Sequence, residues 1–388
     1  MLDAVIVGAG PGGSATAHFL ARRGLDVLLV DKFAFPRDKT CGDGLTPRAL
    51  RVLDRMGLLG EVARVGQAIR GYDVYAPSGR RTGADLTGSQ AALVVPRLQF
   101  DDMVRQRAVE SGADFEPKVS VTHVEPSADS VRVHTEQGRS YAARIAVLAT
   151  GASTKVLLKS GILRRPPHAM LAARAYYRGA PVEDRFELRF DHVPAPGYGW
   201  VFPLADGRVN AGVGFLPRPW HRTTSRAAFE RFVAHRLLNA HKDGPVRGYP
   251  IRVDFLTAPT WAARTLLVGE AAGLVNPLTG EGIDYALESG EIAAEHIAVM
   301  LSTGDFGRVQ QYDQQLREQF GPVFRFCAQV RDWYCWPPLL NLLVGVANHR
   351  PDLRLLLTQV VLGEKRPASR GAAQTAARLL LALARSHA

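Results

Sequence analysis

The sequence predicts an α/β protein in which a parallel sheet is interrupted by an antiparallel one and followed by a helical C-terminal region. Three observations predict it. Residues 4–31 run strand, glycine turn, helix, strand: "AVIVG" is an unbroken apolar run, "GGSATAHFLARRG" a helix closing at Gly24, and "DVLLVD" the next strand. From about 168 to 216 the pattern changes to short alternating strands, "MLAARAYY", "RFELRF", "YGWVFP" and "VNAGVGF". "TLLVGE" at 265–270 then returns the chain to the first layer, and beyond 282 the pattern is mostly helical. With 388 residues and 46% apolar content, the chain suits two interleaved units sharing a sizeable core.

The first turn justifies a nucleotide. "VIVGAGPGGSATA" supplies Gly8, Gly10 and Gly13 in the spacing G-x-G-x-x-G, with Ala9, Pro11 and Gly12 between them. Gly8 permits the tight turn, Gly10 lets a pyrophosphate approach the backbone, and Gly13 lets helix and strand pack closely. The helix N-terminus offers free N–H groups and a partial positive charge. Asp31 ends the second strand, 23 residues after Gly8, where a carboxylate accepts from ribose hydroxyls. Lys32 follows, either near the adenosine or solvated. The predicted domain is therefore Rossmann-like.

Further elements follow in order. A helix starts at Thr46 with Pro47 in its first position. Residues 98–111 read as helix. "VRVHTEQGRSYAARIAVLATG" reads as a hairpin turning at Gly138, then an apolar strand ending at Gly151. A second glycine cluster, "LLVGEAAGLVNPLTGEGIDYALESG" (266–290), is another strand, turn and helix, with Gly280 and Gly282 at the helix entrance. A nicotinamide dinucleotide needs no second cradle so far along the chain. FAD does: its ribityl chain crosses the strand ends, and a second helix dipole faces the electron-rich edge of its ring.

These paired motifs resemble the FAD-binding fold shared with para-hydroxybenzoate hydroxylase. In that family the second motif usually reads Gly-Asp, with the acid on the ribityl hydroxyls; here it reads Gly269-Glu270, one methylene longer. "VVPRLQFDDMV" (94–104) resembles the family's arginine segment, which puts Arg97 near the ribityl chain or flavin. "LATGAS" (148–153), with Thr150 and Gly151, matches the strand end that passes the adenosine pyrophosphate. The same resemblance implies cofactor contacts for Val119, Pro277 and Ile283.

Two further segments resemble the geranylgeranyl reductase family. "FPRDKTCGDGLTPRAL" (35–50) is similar to that family's Cys-Gly-Gly-Gly segment, with Asp43 where a glycine is usual after Cys41 and Gly42. "PGYGWVFPLADGRVNAGVG" (196–214) resembles its Tyr-x-Trp-x-Phe-Pro…Gly-x-Gly signature, carried here by Tyr198, Trp200, Phe202, Pro203, Gly212 and Gly214. In the family this signature lines the prenyl cavity. Alternate residues of a strand share one face, so three aromatics make a wall that is either plain core or a host for hydrocarbon, whose burial yields about 25 cal/mol per Å². The Trp-x-Trp motif of flavin halogenases is absent, and the aromatic hydroxylases' Asp-Gly is Thr150-Gly151 here.

The resemblance implies an FAD-dependent reductase saturating carbon–carbon double bonds of a polyprenyl substrate, geranylgeranyl-type or menaquinone-type. The alternative is an FAD-dependent monooxygenase of an aromatic or polyketide-like molecule, and a third reading is a carrier with structural FAD. Cys41 is the catalytic candidate, because a thiol relays protons; its other reading is a small residue packed by the ring. Tyr198 is a second relay candidate. The electron donor is NADPH, a ferredoxin-like protein or a reduced quinone.

The net charge of +11 favours anionic partners or reflects an arginine-rich solvated surface. No zinc spacing, helix-turn-helix or run of like charges marks a nucleic-acid module. Cys41, Cys327 and Cys335 form no disulfide framework: the last two lie about 12 Å apart along a helix. A reducing, cytoplasmic location follows, with no signal peptide expected before "AVIVGAG". The apolar segments "PPLLNLLVGVA" and "AARLLLALAR" are too short to span a bilayer; they cover the prenyl tunnel, rest peripherally on the inner face of a membrane, or pack on the core. The expected division is a discontinuous FAD-binding domain (1–75, 95–165, 255–300), a substrate domain (76–94, 166–254) and a helical region (301–388).

Overall fold

The computed structural model describes residues 1–86, 88, 91–334, 337–351 and 354. The segment "AARLLLALAR", residue Cys335 and most of the chain after 347 lie outside the described residues. Five parallel strands form the core of the first sheet in the order Thr265–Leu267, Ser140–Leu148, Leu2–Val7, Val27–Asp31 and Asp114–Pro117. The hairpin Val131–Thr135 and Ser140–Leu148 turns at Gly138 as expected, and Val121–Pro126 extends it. Ala4, Val5, Ile6, Leu29, Ala146, Val147 and Leu266 are fully buried, as strands covered on both faces require.

Helix Pro11–Ala21 is buried along its whole length between helices Ile283–Thr303 and Arg97–Glu110. Small residues allow that depth. A Cβ on Gly13 would stand 1.9 Å from the Gly8 carbonyl oxygen, and one on Gly290 would stand 2.6 Å from the Gly12 carbonyl oxygen. Gly8 itself has φ +106°, a conformation open to glycine. Helix Pro47–Arg55 begins after Thr46 with Pro47 first, as the sequence predicts.

The second sheet has seven strands in the order His241–Arg252, Ala169–Arg178, Arg208–Phe215, Gly197–Pro203, Arg185–Arg189, Gly71–Tyr75 and Arg81–Asp85. All pair antiparallel except Arg185–Arg189 with Gly71–Tyr75, which is parallel. The strand His241–Arg252 is absent from the sequence reading. Its prolines, glycines and charges resemble a loop, and they are tolerated because the strand is an edge. A short sheet of Gly44–Leu45, Ala92–Val94 and Gln67–Ile69 joins the two layers.

Helix Ser225–Arg236 covers one face of the antiparallel sheet, where Phe232 occupies the space beside Gly199. The opposite face, bearing Tyr198, Trp200 and Phe202, looks toward the first sheet. Helix Pro337–Ala347 buries Leu340 and Val344 against Ile69, Tyr72, Val74 and Leu204. No described helix is long and apolar enough to cross a membrane.

Any Cβ at Gly13 would meet the Gly8 backbone, so a larger residue has no rotamer that avoids it. Gly13→Val is expected to lower stability by about 3 kcal/mol or more, read as a fall in apoprotein melting temperature or loss of soluble protein.

Candidate functional site

One cavity of about 550 Å³ runs between the two sheets. Its walls bring together Gly8, Gly10, Pro11, Gly12, Asp31, Lys32, Cys41, Gly42, Arg97, Val119, Thr150, Gly151, Gly269, Glu270, Gly280, Gly282 and Ile283 from the predicted cofactor set. Tyr198, Trp200, Phe202 and Gly214 line it from the substrate set. Ala9, Gly13, Pro203, Gly212 and Pro277 are not on its surface. Ala9 and Gly13 shape the turn beneath it, whereas Gly212 makes room for the indole: a Cβ there would stand 2.1 Å from Trp200 Cζ2.

At one end, the Asp31 carboxylate holds the glycine turn to the second strand. Its Oδ2 accepts from the Ala9 amide at 2.8 Å and its Oδ1 from the Phe33 amide at 2.9 Å. Helix Pro11–Ala21 has no side-chain cap and no acid in its first turn, which suits its free amides to an anion. Gly10 faces open space, where an added Cβ would find only Arg37 Nη2, at 3.7 Å. Lys32 is exposed at the rim, its Nζ 5.0 Å from the Phe33 ring centroid.

The middle is basic. Asp101 anchors two arginines: Arg97 donates to it through Nε at 2.5 Å and Nη2 at 2.7 Å, and Arg37 Nη1 stands 2.8 Å away. Burial opposes the Asp101 charge, but the guanidiniums outweigh it and hold the carboxyl below its ordinary range. Lys39 sits 3.7 Å from Glu270 Oε2 and 4.0 Å from the Tyr249 ring centroid. Burial works against its charge, yet Tyr249 and Glu270 raise its pKa. Glu270 also accepts from the Arg252 amide at 3.1 Å and the Tyr249 hydroxyl at 3.4 Å. Arg37, Lys39 and Tyr249 are missing from the predicted set. The first two lie in the quoted "FPRDKT" segment; Tyr249 is on the strand that reads as loop.

At the far end stand Tyr198, Trp200 and Phe202, with Met170, Ala172 and Ile251 from neighbouring strands. Tyr198 and Trp200 ring centroids are 6.0 Å apart, and Phe202 packs 4.6 Å from Phe186. The Tyr198 hydroxyl donates to the Thr279 carbonyl, tying the wall to the second glycine turn. Burial keeps that phenol protonated, and Glu281 adds to the effect. Gly42 lies against the wall, where an added Cβ would stand 3.2 Å from Phe202 Cε2. Cys41, half-buried and free, lines the cavity between wall and basic segment, with Arg97 beside it.

These features fit FAD: a bare helix mouth for the pyrophosphate, a carboxylate at the ribose end, cations with Glu270 midway, and a second helix entrance at Gly282 without a side-chain cap. The FAD binding domain family matches residues 1–323, and the chain belongs to it. Within that class it is 34% identical to the menaquinone reductase of Mycobacterium tuberculosis over 345 residues, covering 83% of this chain and 81% of that protein. It is 32% identical to the menaquinone reductase of Mycolicibacterium smegmatis over 389 residues, covering 92% and 91%. Digeranylgeranylglycerophospholipid reductase 1 of Methanopyrus kandleri is 29% identical, with 85% and 90% covered. Among solved structures, a geranylgeranyl bacteriochlorophyll reductase-like protein of Thermoplasma acidophilum shares the fold with a TM-score of 0.82, 22% identity and 95% and 97% coverage. A flavin-dependent brominase shares it with a TM-score of 0.79, 21% identity and 99% coverage of both chains.

Gly10 and Gly13 make a paired test of this site. Gly10→Val adds a side chain to open space and is expected to fold with an unchanged apoprotein melting temperature. Its bound flavin, measured by absorbance after purification, is expected to fall at least tenfold.

Proposed function

We propose that this chain is an FAD-dependent reductase that saturates carbon–carbon double bonds in the prenyl tail of a menaquinone-type substrate. One observation carries the reading: the cavity that begins at the first helix mouth ends on an apolar aromatic wall, with Cys41 and Gly42 between. The relatives named menaquinone reductase support the substrate class.

Gly8 to Gly12 would hold the pyrophosphate, Asp31 the ribose, and Arg37, Lys39, Arg97 and Glu270 the stretch between ribose and ring. FAD, when bound and reduced, supplies a hydride to one alkene carbon. An isolated alkene is a poor acceptor, so the protein's contribution is alignment and exclusion of water. Tyr198, Trp200 and Phe202 present a flat hydrocarbon face with their polar atoms already engaged: the hydroxyl on Thr279 and the indole N–H on Asn210 at 2.9 Å. No free donor there competes for water.

The second carbon needs a proton. Cys41 is the proposed donor, since its thiol lines the cavity and the neighbouring Arg97 guanidinium offsets charge left on sulfur. Tyr198 is the weaker candidate, because its hydroxyl is committed to a carbonyl. Electrons are proposed to come from outside, from NADPH, a ferredoxin-like protein or a reduced quinone. We also propose a discontinuous FAD-binding unit, an inserted substrate unit and a helical C-terminal region; sheet pairing supports grouping Gly71–Tyr75 with the substrate unit. A lipid tail would be met at the inner face of a membrane, by peripheral contact.

Anaerobic incubation of dithionite-reduced holoprotein with a prenylated quinone is expected to add two hydrogens per saturated bond by mass spectrometry. Product that forms only with oxygen, or carries an added oxygen atom, would establish the monooxygenase instead. Cys41→Ser is expected to slow saturation about tenfold or more, with flavin content retained. Trp200→Ala is expected to cost about 100-fold in kcat/KM through misplaced substrate.

A further inference from the structure

The cysteine segment carries an acid where resemblance leads one to expect glycine, and the structure surrounds that acid with partners. Asp43 has φ +65°, the left-handed region that favours glycine, and is fully buried. Its Oδ2 accepts from Asn210 Nδ2 and from the Tyr176 hydroxyl, each at 2.8 Å. The same Asn210 amide donates to the Cys41 carbonyl at 2.7 Å, and its Oδ1 accepts from Trp200 Nε1 at 2.9 Å. A continuous hydrogen-bond path thus joins the indole of the wall to the backbone of Cys41 and the carboxylate of Asp43. The Asp43 carbonyl accepts from the Val95 amide at 2.9 Å, which pins the segment from the other side.

Stability alone does not explain an acid here. Burial pushes the Asp43 carboxyl up to about 6, although Arg174, Asn210, Tyr176 and Arg97 all favour its charged form. The unfolded chain releases this proton near 3.8 and the folded chain near 6. Between those values folding binds a proton, so stability falls as pH rises and the charge is carried at a cost. The backbone conformation adds strain that glycine would avoid.

We propose that Asp43 is the positioning residue of this site: its carboxylate holds Asn210 and Tyr176, and so locks Cys41, Gly42 and the Trp200 indole into one unit that sets where the prenyl chain lies. The inference rests on the function proposed above. Charged Asp43 accepts both donors at Oδ2. A proton on that oxygen would compete with the two donors, and a proton on Oδ1 would be buried in a position where that atom has no partner. Either way the hold on Asn210 weakens, and the indole loses its reference point.

Every element packed around Asp43 contributes polar or charged neighbours. Strand Ala169–Arg178 brings Tyr176 and Arg174, the latter 4.3 Å from the Tyr176 ring centroid and paired with Asp38 at 2.6 Å. Strand Arg208–Phe215 brings Asn210 and Arg208, which lies 4.8 Å from the same ring centroid. Helix Arg97–Glu110 brings Arg97, and the segment itself brings Cys41.

The test compares wild type with Asp43→Asn and Asp43→Gly, each checked for flavin content and melting temperature. Steady-state kinetics with a prenylated quinone run from pH 5 to 8. Binding of the saturated product to oxidised holoprotein is followed by the quenching of tryptophan emission that Trp200→Phe abolishes. In wild type, KM is expected to rise about tenfold, and product affinity to fall in parallel, as pH drops through about 6. Asp43→Asn is expected to show the raised KM at pH 7.5 with no step, and Asp43→Gly to do the same with melting temperature held or raised. Wild-type KM, product affinity and pH step in Asp43→Asn overturn the proposal while leaving the reductase reading intact. A wild type that saturates no prenyl substrate overturns both.

Discussion

The close approach of helix Pro11–Ala21 to what surrounds it is the constraint on which the site depends. Gly13 meets Gly8 backbone to backbone, and Gly290 brings the second glycine-motif helix onto the same face at Gly12. Because both helices are seated against one another, their N-terminal ends open onto a single cavity rather than two. A dinucleotide as long as FAD would span that arrangement, its phosphates at the first mouth and its ring toward the second. The glycines that recognise the cofactor in sequence patterns therefore divide their labour. Gly10 borders open space in the cavity, Gly12 both lines the cavity and makes room for Val268 and Ala286, and Gly13 holds the scaffold.

Much of this was legible in the sequence, and the unread parts have physical reasons. The central parallel strands are near-continuous apolar runs and the fingerprint helix starts at a glycine turn, so period and punctuation agree, whereas the edge strand Asp114–Pro117, with sequence DFEP, carries no such signal. Strand His241–Arg252 reads as loop because an edge strand needs no apolar face; burial inside the sheet would have shown in its composition. That one miss removed Tyr249, and with it the partner of Lys39 and Glu270. Arg37 and Lys39 stood inside a quoted motif, but their meaning depends on Asp101 and Glu270, which are brought to them only by the fold. Gly212 was legible as part of a signature; its role as the seat of the Trp200 ring was not, because a cross-strand neighbour is a matter of register.

Chemistry at this site is a matter of location more than of functional groups. In the proposed reduction an unactivated alkene offers the protein no polar group to grip, which leaves proximity and desolvation as the main terms besides delivery of one proton. Those terms demand rigid walls. The aromatic face achieves rigidity in two ways: from behind, helix Ser225–Arg236 fills the space beside Gly199, and from the side, the Tyr198 hydroxyl and the Trp200 N–H are each fastened to the protein. A pocket of unanchored leucines would bury as much hydrocarbon and define its position less well.

A buried polar path inside an otherwise apolar chamber follows from the same demand. Hydrophobic contact has no direction, so it cannot choose between two positions of a repeating isoprenoid chain that bury equal area. Hydrogen bonds do have direction, and the route from Trp200 through Asn210 to the Cys41 carbonyl and Asp43 fixes the wall relative to the segment beside the ring. Directional bonds thus hold the container, and in the proposed function the substrate would be positioned by shape alone. The arrangement suits a ligand that has length but no handles.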